Sequence, residues 1–181
     1  MNIPNFLSLL RIILVPVIVI FLIQDEYGKA LAVFVVAGLT DALDGTLARL
    51  LNKQTELGAF LDPLADKILL STSFISLSIF GLIPGWLTVI VISRDLIILM
   101  GIMTLSMMDI AYEIKPVFVS KITTGLQIGA VFFALFSKSF TYGLISDYNV
   151  IDAIFWITAL FTVISGTVYI YKGIKILNHS S

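Results

Sequence analysis

Six stretches of roughly 20 predominantly apolar residues, each long enough to cross a bilayer, recur along the chain. They run from about Phe6 to Ile23, Ala30 to Leu51, Gly58 to Phe80, Gly85 to Met108, Val117 to Phe136 and Ile151 to Ile174. The connections are short and carry turn residues, as in Gln24-Asp25-Glu26-Tyr27-Gly28, Gly81-Leu82-Ile83-Pro84-Gly85 and Ser146-Asp147-Tyr148-Asn149. The pattern predicts an all-α integral membrane protein with six transmembrane helices in one bundle. Loops this short leave no room for a second domain, so residues 1–181 are expected to form one membrane domain. No internal repeat or low-complexity tract interrupts the pattern.

Composition strengthens this picture. Apolar residues make up 59% of the chain and charged residues only 13%, about half the share usual in soluble domains. Mean hydropathy is +1.05. A soluble domain of this size could not hide so much apolar surface. With no cysteine, thiol catalysis, disulfides and cysteine-ligated metal sites are excluded, and the single histidine, His179, makes histidine chemistry an unpromising explanation. A net charge of −1 offers no field for nucleic acid. The first span lacks a small-x-small cleavage site and reads as a retained anchor. If the amino terminus is cytoplasmic, Arg49, Lys53, Lys115, Lys121, Lys172 and Lys175 lie near the cytoplasmic side, and Lys29 and Lys138 near the other. The expected location is the cell inner (cytoplasmic) membrane, with both termini and the polar site described next at the cytoplasmic face.

Acids interrupt the apolar pattern at regular spacing. The second span carries Asp41-Ala-Leu-Asp44-Gly45-Thr-Leu-Ala48-Arg49, and the third carries Gly58-Ala-Phe-Leu-Asp62-Pro-Leu-Ala-Asp66-Lys67. Asp41 and Asp44 stand three apart, Asp62 and Asp66 four apart, so each pair shares a helix face. The short link between the spans predicts antiparallel neighbours, with the pairs converging across one seam. Four converging carboxylates repel one another unless something compensates. A divalent cation, or two, is the simplest compensation, and all-oxygen ligation selects Mg²⁺ or Mn²⁺. Mg²⁺ leaves positions open for phosphate oxygens, which points to phosphoryl chemistry on a diphosphate. Gly45 and Ala48 leave the neighbouring face without bulk, and the Arg49 guanidinium suits a phosphate. Competing explanations remain at this stage. Small residues also serve helix packing. The acids could form ion pairs with Arg49, Lys67 and Arg94, and a proton or cation transporter could also use carboxylates, near the midplane.

The run Asp41-x-x-Asp44-Gly45-x-x-Ala48-Arg49, followed after eight residues by Gly58-x-x-x-Asp62-x-x-x-Asp66, resembles the signature of the CDP-alcohol phosphatidyltransferase family at every fixed position. The opening Asn2-Ile-Pro4-Asn5-x-Leu-x-x-x-Arg11 and the six-helix layout extend the resemblance along the chain. Membership implies transfer of a phosphatidyl group from a CDP-lipid, CDP-diacylglycerol, to an alcohol with release of CMP. It also implies dependence on Mg²⁺ or Mn²⁺, with two ions expected, and homodimers. By resemblance, Asp41, Asp44, Asp62 and Asp66 form the metal site and Asp66 is the catalytic base. Asp41, Asp44, Gly45, Ala48, Arg49 and Gly58 would form the CDP pocket. No nucleic-acid partner is expected.

The motif does not name the acceptor. Arg94, beside Asp95 in the fourth span, and Lys115 and Lys121, at the start of the fifth, are candidate ligands for a phosphorylated acceptor. Against this, Arg94 could simply pair with Asp95, and the lysines could simply follow the positive-inside rule. Two branches of the family are similar to the chain. One uses sn-glycerol 3-phosphate and makes phosphatidylglycerol phosphate; the other is the CMP-forming cardiolipin synthases, which use phosphatidylglycerol. Ala37-Gly38-Leu39-Thr40 and the stretch from Lys115 to Lys121 lean toward the second, while the short chain and compact loops favour the first. The glycerol-phosphate acceptor is the preferred expectation.

Overall fold

The computed structural model describes residues 3–51, 56–108, 118–139 and 148–180. It contains six α-helices: α1 (Ile3–Ile23), α2 (Tyr27–Leu51), α3 (Glu56–Ile79), α4 (Gly85–Met107), α5 (Phe118–Ser139) and α6 (Tyr148–Ser180). Among the described residues there is no strand. Three of these helices are long and apolar enough to cross a membrane, over Gly85–Thr104, Phe118–Ser139 and Val150–Ile176. Shorter apolar stretches lie on α1, at Leu9–Ile23, and on α2, at Tyr27–Thr40. The hydropathy of α2 changes where the acids begin, because carboxylates replace the side chains that lipid would favour.

The helices fall where the apolar pattern places them, with differences mainly at their ends. The sequence pattern ends the last span at Ile174, yet α6 continues to Ser180. Lys172 and Lys175 end the apolar run without ending the helix, because lysine is a good helix former. α5 likewise continues to Ser139, and Lys138 lies in its last turn, where a cation complements the carbonyl end of the helix.

Two turns show why α1 and α3 stop. Asp25 has φ 57°, and its N–H donates to the Leu22 carbonyl at 3.2 Å while the Glu26 N–H donates to the Phe21 carbonyl at 2.9 Å. Gly81 has φ 71°, and the same pair of bonds runs from Gly81 to Ser78 at 3.1 Å and from Leu82 to Leu77 at 2.8 Å. Both are Schellman caps, which satisfy terminal carbonyls by placing one residue in the left-handed region. Glycine enters that region freely and aspartate is among the few other residues that do so readily. Pro84 follows the second cap and precedes α4.

The helices contribute to two compact units. The first contains Met1–Ile83 and Val131–Ser146. Within it α1 packs on both α2 and α3, and Ile18, Leu22, Phe34, Phe74 and Leu77 are buried. The second contains Pro84–Ala130 and Asp147–Ser181. There α4 packs on α6, and Leu87, Val91 and Phe155 are buried.

A polar seam joins α5 to α6 in the second unit. Thr123 Oγ1 donates to the Phe161 carbonyl at 3.1 Å or to the Val119 carbonyl at 2.8 Å. Thr158 Oγ1 reaches the Leu126 carbonyl at 3.4 Å, and Gln127 Nε2 lies 3.5 Å from Thr162 Oγ1. Thr123, Gln127, Thr158 and Thr162 are buried. In lipid, where apolar side chains gain little by leaving the solvent, such interhelical hydrogen bonds help to hold helices together.

Replacing Gly81 with Ala places a Cβ on a left-handed residue, where open space surrounds the new atom but the backbone remains strained. Gly81→Ala is expected to destabilise the protein by about 1 kcal/mol, seen as a lower melting temperature in detergent. An unchanged melting temperature would contradict this account of the cap.

Candidate functional site

The acid motif is divided between two helices that share a neighbour. α2 carries Asp41, Asp44, Gly45, Ala48 and Arg49, and α3 carries Gly58, Asp62 and Asp66. The helical register therefore puts Asp41 with Asp44 on one face of α2, and Asp62 with Asp66 on one face of α3. α1 packs on both helices. The side chains of Asp41, Asp44, Gly45, Ala48, Arg49, Gly58 and Asp62 lie outside the described residues, as does the whole of Lys115.

Asp66 is described, and it meets a partner that the sequence pattern assigned no role. Arg11 Nη1 on α1 donates to Asp66 Oδ1 on α3. The Arg11 side chain is 0% exposed and that of Asp66 is 43% exposed. The guanidinium thus stands behind the carboxylate, on its enclosed side, while the carboxylate keeps an open side. A buried cation requires a compensating anion, because its desolvation is otherwise too costly. The sequence reading considered Arg49, Lys67 and Arg94 as partners for the acids; Arg11 fills that place for Asp66. The signal that could have revealed it is a single arginine in the apolar run from Phe6 to Ile23.

Arg94 occupies a second buried polar site. It is 4% exposed and joins all three helices of its unit. Its Nη1 donates to Asp95 Oδ1 at 2.7 Å, and its Nη2 to Ser120 Oγ on α5 at 2.5 Å and to Ser165 Oγ on α6 at 2.8 Å. Nε lies 3.3 Å from the same Ser165 oxygen, and the guanidinium stands 5.7 Å from the centre of the Tyr169 ring. A Cβ at Gly166 would come within 3.6 Å of Arg94 Cγ, so α6 carries its smallest residue beside this side chain. The pairing with Asp95 that the sequence allowed is present. Lys121, next in sequence to Ser120, is exposed.

Oxygen donors of the motif's type suit hard divalent cations. Among the described residues no group of three or more His, Asp or Glu is assembled to hold a metal, and three of the four motif acids have side chains outside that set.

A helical membrane protein with paired acids on two helices that flank a third is the class that fold and site define. The family model of the CDP-alcohol phosphatidyltransferases matches residues 1–164, and the chain belongs to that family. The family is generally dependent on divalent metal. The chain is 36% identical to human "Cardiolipin synthase (CMP-forming)" over 96% of its own length and 62% of the relative's. It is 33% identical to the "CDP-diacylglycerol--glycerol-3-phosphate 3-phosphatidyltransferase" of Bacillus subtilis, over 99% of both chains. A "Probable phosphatidylglycerophosphate synthase" of Mycobacterium tuberculosis is 34% identical over 96% of this chain and 82% of that one. The chain thus spans about three fifths of the human and rat cardiolipin synthases that it matches.

Arg94→Ala removes the cation from Asp95, whose side chain is only 10% exposed, and cuts the links to Ser120 and Ser165. It is expected to destabilise the protein by about 3 kcal/mol, read as a lower melting temperature in detergent. Wild-type stability would show that the cluster does not hold the second unit together.

Proposed function

We propose that the protein transfers a phosphatidyl group from CDP-diacylglycerol to sn-glycerol 3-phosphate, giving phosphatidylglycerol phosphate and CMP. The observation that carries this reading is the likeness to the Bacillus subtilis 3-phosphatidyltransferase along 99% of both chains. The eight fixed residues of the family motif, all present between Asp41 and Asp66, support it. On this reading residues 1–181 act as one catalytic membrane domain with six spans, and the protein works as a homodimer in the inner (cytoplasmic) membrane. The lysine and arginine bias places the site at the cytoplasmic side.

Asp41, Asp44, Asp62 and Asp66 form a donor set that fits Mg²⁺ or Mn²⁺, with two ions the expected load. Bound there, the metal supplies positive charge to the diphosphate. Gly45, Ala48 and Gly58 leave room for the CDP moiety, and Arg49 binds its phosphate. Asp66 takes the proton from the acceptor hydroxyl, a weak nucleophile that gains from a positioned base. The acceptor oxygen bonds to the phosphorus that bears the diacylglycerol, and the bond from that phosphorus to the bridging oxygen breaks. CMP departs with that oxygen. Arg94, Lys115 and Lys121 are the candidate contacts for the acceptor phosphate, with Arg94 acting largely through the helix positions it fixes. A site at the lipid boundary lets the acyl chains remain in the bilayer.

Likeness to the human cardiolipin synthase, at 36% identity, supports a second reading in which phosphatidylglycerol is the acceptor. CMP release by purified protein with CDP-diacylglycerol and Mg²⁺ separates the two. Release with glycerol 3-phosphate is the expected result. Release with phosphatidylglycerol alone would move the protein to the cardiolipin reading, and release with neither would contradict both. Asp62→Asn is expected to lower turnover at least about 100-fold at undiminished expression. Near-normal turnover in that variant would contradict the metal role of Asp62.

A further inference from the structure

The Arg11–Asp66 pair has a geometry that suits more than charge neutralisation. Resting on the phosphatidyl-transfer reading, we propose that Arg11 is the positioning residue of the catalytic base: from α1 it fixes the Asp66 carboxylate in the orientation that receives the acceptor proton.

Three observations support this assignment. Arg11 is wholly enclosed, so it does not itself face substrate, whereas Asp66 is 43% exposed. The contact joins separate helices, 55 positions apart in sequence, so α1 sets the carboxylate from outside the acid motif. α1 also packs on both helices that carry the motif, which makes it the common reference for the two acid pairs. An aspartate has few rotatable bonds, and anchoring Oδ1 to a guanidinium restricts the orientation of the whole carboxylate. The planar fork of arginine fixes direction as well as charge; a lysine would supply charge with looser direction. A small misplacement of a base costs rate far more than affinity, because proton removal depends on alignment in the transition state.

The test compares Arg11→Lys and Arg11→Gln with wild type, as purified full-length proteins matched for folded fraction by melting curve and size-exclusion profile. CMP release is measured against CDP-diacylglycerol and each acceptor in turn. Arg11→Gln is expected to lower kcat about 100-fold, with KM for both substrates within about threefold of wild type. Arg11→Lys is expected to recover part of that loss and to remain about tenfold below wild type. A merely structural arginine would instead lower the folded fraction and leave kcat per folded molecule unchanged. Arg11→Gln within about threefold of wild-type kcat, a change confined to KM, or no advantage of Lys over Gln would overturn the assignment. If Arg11→Gln does not fold, Arg11→Lys decides alone, and a wild-type kcat in that variant contradicts the role. Absence of CMP release from the wild-type protein would contradict the transfer reading itself; a working wild type with an unaffected variant contradicts only the role of Arg11.

Discussion

Enclosing a guanidinium among membrane helices is tolerable only where a carboxylate meets it. Arg11 and Asp66 impose that condition on α1 and α3. Arg11 has no exposed surface, so the register of α1 against α3 cannot slip without separating a buried cation from its anion. Because α1 also packs on α2, this one ion pair helps to fix the helix that both halves of the acid motif share as a neighbour. Two turns reinforce the arrangement. The Asp25 cap ends α1 and leads into α2, and the Gly81 cap ends α3.

The same physics recurs in the second unit with different partners. Arg94 is satisfied mainly by hydroxyls and one adjacent carboxylate, and it ties α4 to α5 and α6. The threonine and glutamine seam adds hydrogen bonds between α5 and α6. In a bilayer such contacts do part of the work that apolar burial does in water. The two arginines differ in what their surroundings permit. Arg11 leaves its carboxylate partner half open, whereas Arg94 and Asp95 are both enclosed, at 4% and 10% side-chain exposure. The open carboxylate is suited to chemistry and the enclosed one to architecture.

Much of this was legible in the sequence, because membrane helices announce themselves through composition alone. The starts and ends of α3 and α4 lie within two residues of the apolar pattern, and the Gly81-Leu82-Ile83-Pro84 turn is plain in its residue types. The end of α6 was harder to place, since hydropathy falls at Lys172 while helix propensity does not. The acid motif was legible because spacing of three and four on helices is itself geometry. The partner of Asp66 was not legible, because pairing between α1 and α3 is a tertiary fact that no local pattern encodes. Arg94 could be seen as costly from its position, but its serine partners on α5 and α6 lie far off in sequence.

The central claim is that acids from α2 and α3 serve one divalent-cation site. Electron paramagnetic resonance of Mn²⁺ titrated into the purified protein tests it without depending on turnover. The account predicts saturable binding by the wild type that is lost in Asp44→Asn on α2 and equally in Asp62→Asn on α3, with both variants folded. Mn²⁺ binding that survives both substitutions, or that responds to only one of them, would contradict a shared site.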